Sequence, residues 1–112
     1  MRKAGKLVRD KIPEIIRQDG GDPTTYIAEN AEYMERLREK LNEEVQEFLD
    51  ADEAEAPEEL ADVLEVVRAL AQSLGIEAAE LERIRQRKFQ AKGGFTRGII
   101  WLGDKANESA GS

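Results

Sequence analysis

LNEEVQEFLDADEAEAPEELADVLEVVR, residues 41–68, reads as two helices joined by an acidic turn. Glu44 and Glu47 are three residues apart, as are Glu59 and Asp62, so each pair stacks on one side of its own helix. In an antiparallel hairpin centred near Glu53, Glu47 lies opposite Glu59 and Glu44 opposite Asp62, because the members of each pair are equidistant from that centre. The register predicts that all four carboxylates converge.

The angular positions lead the same way. The first helix carries an apolar stripe of Ile27, Ala31, Met34, Leu37, Leu41, Val45 and Phe48, and the second one of Leu60, Val63, Leu64, Val67, Leu70, Ala71 and Leu74. At about 100° per residue, each carboxylate pair sits roughly 80° and roughly 140° around from its stripe, with the same sign in both helices. Facing antiparallel helices bring flanks of like sign to the same side, at the border between core and solvent.

Four anionic groups that close repel one another by kilocalories unless countered, and a hard divalent cation is the natural counter. Carboxylate oxygens without His or Cys favour Mg²⁺, with Mn²⁺ the other candidate, and Mg²⁺ commonly shares one or two carboxylates with a substrate phosphate. The plain alternative is solvation. The chain has 24 Asp and Glu in 112 residues, so acid pairs at helical spacing also arise on wet faces.

Composition narrows the chemistry. A chain of 112 residues makes one domain with a modest core, and 40% hydrophobic with 37% charged residues suits a soluble helical protein. No apolar run approaches the roughly 20 residues of a membrane span, and residues 1–10 lack a signal-peptide core, so cytoplasmic residence is expected. With no Cys and no His, thiolate and imidazole chemistry is excluded. A net charge of −7 argues against a nucleic-acid polymer as partner, though a nucleotide can still dock where bound cations reverse the local sign.

In chain order, Asp10 can cap a short helix from about Lys11 to Gln18, with Pro13 in its first turn and Gly20-Gly21 ending it. Lys6, Arg9 and Lys11 precede it as a basic cluster, either a solvated cationic start or phosphate ligands. The longest helix is expected from about Thr25 to Asp50, its outer charges, Lys40 among them, serving solvation. The next runs from Pro57 to about Leu74 and stops at Gly75, and a fourth from about Ile76 to Ala91 ends in basic residues. FTRGIIWL, residues 95–102, reads as a short extended segment needing a partner, and residues 104–112 as a disordered tail. The expected organisation is a single domain over residues 1–103.

ExxE, Glu44-Val-Gln-Glu47, followed after a short gap by ExxD, Glu59-Leu-Ala-Asp62, resembles the metal-binding signature of the all-α nucleoside triphosphate pyrophosphatases. That superfamily includes MazG, the dimeric dUTPases and phosphoribosyl-ATP pyrophosphohydrolase. KLVRDKIPEII at the start, with KFQAKGGF and GIIWL at the end, is similar to a MazG-like branch labelled phosphoribosyl-ATP pyrophosphohydrolase-like. The resemblance implies an all-α, MazG-like helical bundle built on a long antiparallel hairpin. It implies Mg²⁺ on Glu44, Glu47, Glu59 and Asp62, with Lys88 contacting the triphosphate. One departure is Arg87, where MazG proteins carry an asparagine.

The implied reaction splits a nucleoside triphosphate between its α and β phosphates, giving a monophosphate and pyrophosphate. Without His, a carboxylate accepts the proton of water, Glu43 and Glu44 being equal candidates. Lys88, Lys92, Arg9 and Lys11 are the candidate phosphate contacts. The helix pair leaves apolar surface uncovered and relatives assemble, so a homodimer or homotetramer is expected. The rivals are phosphoribosyl-ATP hydrolysis in histidine synthesis and a non-catalytic helical interaction module.

Overall fold

The computed structural model describes residues 4–105. They form four helices, α1 (Ile12–Gln18), α2 (Asn30–Asp50), α3 (Ala56–Ser73) and α4 (Ala78–Lys92), and no strand. The all-α expectation holds. The chain divides into two compact units, Met1–Ala78 and Ala79–Ser112.

The first unit is organised by α2 packed on α3. The turn between them is held by Asp52, whose carboxylate accepts the Glu55 N–H at 2.9 Å while its carbonyl accepts that of Ala56 at 2.9 Å. That folds the acidic stretch back within five residues, 51–55, and starts α3 with Pro57 in its first turn, where a missing N–H is harmless. At the far end, Ile76 N–H bonds the Ala71 carbonyl at 2.9 Å and Gly75 N–H that of Gln72 at 3.0 Å, with Gly75 at φ +78°. This is the paired closure that a left-handed residue makes at a helix end. Gly20, at φ +91°, closes α1 the same way through Ile16 and Arg17.

Several boundaries differ from the sequence expectation. Helix α2 starts at Asn30 rather than Thr25. Pro23 and the β-branched and aromatic run Thr24-Thr25-Tyr26-Ile27 are poor helix material, and the Tyr26 hydroxyl is drawn instead to Glu32, 2.5 Å away. Ile27, expected on the stripe, is 93% exposed. Asp10 makes no capping bond to α1; the helix opens instead on the backbone, with Ile12 N–H on the Arg9 carbonyl at 3.0 Å. Residues 95–98 form a turn, closed by Gly98 N–H on the Phe95 carbonyl at 3.0 Å, and not a strand. The expected tail falls mostly on residues 106–112, outside the described residues.

The core of the single chain is thinner than the two stripes foretell. Leu37, Val66 and Ala71 are buried, Met34, Leu41, Phe48, Val63, Val67 and Leu70 half-buried. Val66, off the predicted stripe, takes a core place, whereas Val45, Leu60, Leu64 and Leu74 face outward. Among the described residues no helix is long and apolar enough to cross a membrane.

Gly75→Ala should cost about 1 kcal/mol of unfolding free energy in urea, because the site has room for a Cβ but a left-handed backbone that alanine resists. A change of only a few tenths would contradict this account of how α3 ends.

Candidate metal centre

The α2–α3 hairpin brings Glu44, Glu59 and Asp62 together, with one carboxylate oxygen from each lying within 4.8 Å of the others. Glu44 is buried, at 7% exposure, and Glu59 and Asp62 are half-buried. Glu47 is exposed and stands beside Glu44, outside this group of three. One turn further along α2, it sits on the more solvent-facing side of the helix, whereas both acids of α3 turn inward.

Cations answer part of this charge. Arg9 donates from Nη2 to Asp62 Oδ1 at 2.6 Å, and Lys40 Nζ lies 3.4 Å from Glu44 Oε1 and 3.5 Å from Glu43 Oε1. Lys6 reaches Glu43 at 3.8 Å. Glu44 Oε2 and Glu59 Oε2 are left buried with no hydrogen-bond partner among the described residues. A buried acceptor without a partner is costly, so these two oxygens mark the place where a cation fits. An all-oxygen carboxylate set suits a hard divalent ion. Burial pushes the Glu44 carboxyl above its ordinary range, neighbouring Glu47 adds to the rise, and Lys40 opposes it.

The basic cluster reaches the site on the segment that precedes α1. Buried Arg36 holds this segment through Gly5, its Nη1 donating to the Gly5 carbonyl at 2.5 Å while Glu32 accepts from its Nε at 3.1 Å. Arg9 and Lys11 then line a cleft of about 440 Å³ together with Lys40, Glu44 and Asp62. Lys40, read from the sequence as solvating, is only 18% exposed and belongs to the site. Its signal was the spacing, three residues before Glu43 and four before Glu44. Arg36 had a similar one, four residues after Glu32, but nothing local pointed to Gly5.

Lys88 and Lys92 lie on α4, in the second unit, and are exposed. Their neighbours Arg83 and Arg85 pair with Glu80 at 3.9 Å and Glu82 at 2.6 Å on the same helix.

The raised Glu44 carboxyl has a sign. The folded chain holds a proton there that the unfolded chain releases, so metal-free stability falls as pH rises from the ordinary carboxylate range through the elevated one. Glu44→Gln should therefore raise the melting temperature of the metal-free protein above that range, and abolish any rise caused by Mg²⁺ or Mn²⁺. A variant no more stable than the parent, or one that keeps its metal response, would contradict this description of the centre.

Residues 10–89 match the family described as phosphoribosyl-ATP pyrophosphohydrolase. An uncharacterized protein of Mycolicibacterium smegmatis (strain ATCC 700084 / mc(2)155) is 45% identical over 51 residues, which are 46% of this chain and 52% of that protein. The chain thus spans about half the length of that curated relative. No solved structure matches it. The family match runs from just before α1 to near the end of α4 and contains every member of the carboxylate group. The chain therefore belongs to the phosphoribosyl-ATP pyrophosphohydrolase family, within the MazG-like all-α NTP pyrophosphatase superfamily.

Proposed function

We propose that this protein hydrolyses nucleoside triphosphates between the α and β phosphates, giving a nucleoside monophosphate and pyrophosphate, with Mg²⁺ or Mn²⁺ as cofactor. The observation that carries this reading is the pair of buried oxygens, Glu44 Oε2 and Glu59 Oε2, which have no hydrogen-bond partner among the described residues and belong to two of the three acids grouped with Asp62. Glu44, Glu59 and Asp62 would hold the metal, with Glu47 joining from beside Glu44. When bound, a divalent cation supplies neutralisation of the triphosphate charge and electrophilic activation.

The chain's own groups supply the rest. Water adds across the α–β anhydride bond, and its proton goes to a carboxylate, since the chain has no imidazole. With Glu44 committed to the metal, Glu43 takes that role, next in sequence and joined to Glu44 through Lys40. Arg9 and Lys11 turn to phosphate oxygens, Arg9 exchanging the Asp62 carboxylate for a substrate phosphate. Lys88, by the resemblance, and Lys92, by its charge, are the further candidate phosphate contacts of this reading. Leu60, Leu64 and Leu74, exposed on α3, support assembly into a homodimer or homotetramer. The matched family's own description makes phosphoribosyl-ATP a necessary member of any substrate panel.

Pyrophosphate release should be measured across ribo- and deoxyribonucleoside triphosphates and phosphoribosyl-ATP, with Mg²⁺ and with Mn²⁺. The proposal expects metal-dependent release from at least one triphosphate and a loss on the order of 100-fold in Glu59→Gln. Turnover of phosphoribosyl-ATP alone would replace the substrate assignment. No release from any of them by folded protein, with melting indifferent to metal, would favour a non-catalytic helical module.

A further inference from the structure

The cleft beside the carboxylates has two chemically different ends. Helix α2 contributes Tyr33, Leu37, Lys40 and Glu44, spaced to fall on one face. Helix α3 contributes Asp62, Glu65, Val66, Ala69 and Gln72, likewise on one face, with Arg68 at its border. At about 1.5 Å per residue, Ala69 lies about 10 Å and Gln72 about 15 Å along the axis from Asp62. Tyr33 lies about 16 Å from Glu44 on the antiparallel helix, which puts it at the same end.

The metal-binding carboxylates and the cations Arg9, Lys11 and Lys40 therefore occupy one end, and an aromatic ring, a small side chain and an amide, flanked by the Arg68 guanidinium, the other, over a floor of buried Leu37 and Val66. About 440 Å³ is within the usual size of a small-molecule site, roughly 300–1,000 Å³. A polyphosphate bound through the metal-binding carboxylates would leave Tyr33, Ala69 and Gln72 uncovered. A nucleotide has the same polarity as the cleft, with its charge at one end and a flat, weakly polar base at the other.

We propose that the cleft takes the nucleotide lengthwise along α3, with its base on Tyr33 against Val66 and Ala69, the base edge read by Gln72, and the sugar beside Glu65. Helical side chains lean toward the N-terminus, so the Gln72 amide reaches back over Ala69 toward the base rather than away from it. That amide offers two donors and an acceptor, and Glu65 offers acceptors one turn from Asp62, within reach of sugar hydroxyls. Tyr33 and Gln72 are the residues that set base preference. The assignment rests on the phosphate site of the preceding section.

Equilibrium binding separates the two ends. Inorganic tripolyphosphate and nucleoside triphosphates of four bases, with Ca²⁺ in place of Mg²⁺ to hold back turnover, should be titrated into the parent, Tyr33→Leu and Gln72→Ala. Tyr33→Leu should weaken every nucleotide about tenfold and leave tripolyphosphate unchanged, and Gln72→Ala should alter the order of preference among bases. Gln72 is exposed, so its variant tests the idea even if Tyr33→Leu folds poorly. A parent that binds tripolyphosphate as tightly as any nucleotide, or variants that weaken both ligands equally or neither, would overturn this proposal and leave the phosphate site standing. A parent that binds neither ligand overturns both.

Discussion

Three carboxylates meet where α2 and α3 pack, against their own repulsion. Two unit charges 4.8 Å apart repel by about 3 kcal/mol at an effective dielectric near 20. Packing of Leu37, Val66 and Ala71 holds the hairpin in the register that imposes this contact, and the Asp52 turn fixes where that register starts. The fold thus stores a local excess of negative charge at the border of a small core. Its natural complement is a cation, and through a cation a polyanion.

The surrounding charge is arranged to the same end. On a chain of net charge −7, a bare triphosphate would be repelled from most of the surface. Arg9, Lys11 and Lys40 gather instead along the cleft that holds Glu44 and Asp62, and buried Arg36 secures the segment that delivers Arg9. Arg9 hydrogen-bonds Asp62 and Lys40 ion-pairs with Glu44, so the site has cations that answer carboxylate now and can hydrogen-bond phosphate when the carboxylates have another counter-charge. Glu44 Oε2 and Glu59 Oε2 have no such partner among the described residues.

The hairpin was legible because two periodicities coincide over residues 41–68, an apolar stripe and acid pairs at three-residue spacing, with Pro57 and Gly75 marking helix ends. Equidistance from Glu53 was enough to set Glu44 against Asp62. What failed were features decided by competition. Thr25 to Glu29 stays out of α2 because the Tyr26 hydroxyl is held by Glu32, a contact that a periodicity cannot contain. Val66 displaces Leu64 from the core through the rotation of α3 on α2, which composition leaves free. Arg9 on Asp62 joins residues 53 positions apart, and no local signal encodes such a pair. Glu47 shares the spacing of its partner but is exposed and stands outside the group of three, although Asp62, at the matching angle on α3, belongs to it.

The central claim is that these acids are ligands and not solvated charges. A crystal structure grown with Mn²⁺, with anomalous scattering recorded at the manganese edge, tests it directly. The account predicts an anomalous peak bounded by Glu44, Glu59 and Asp62, with Glu44 Oε2 and Glu59 Oε2 turned onto it. Absence of a peak at saturating Mn²⁺, with those side chains directed apart into solvent, would contradict it.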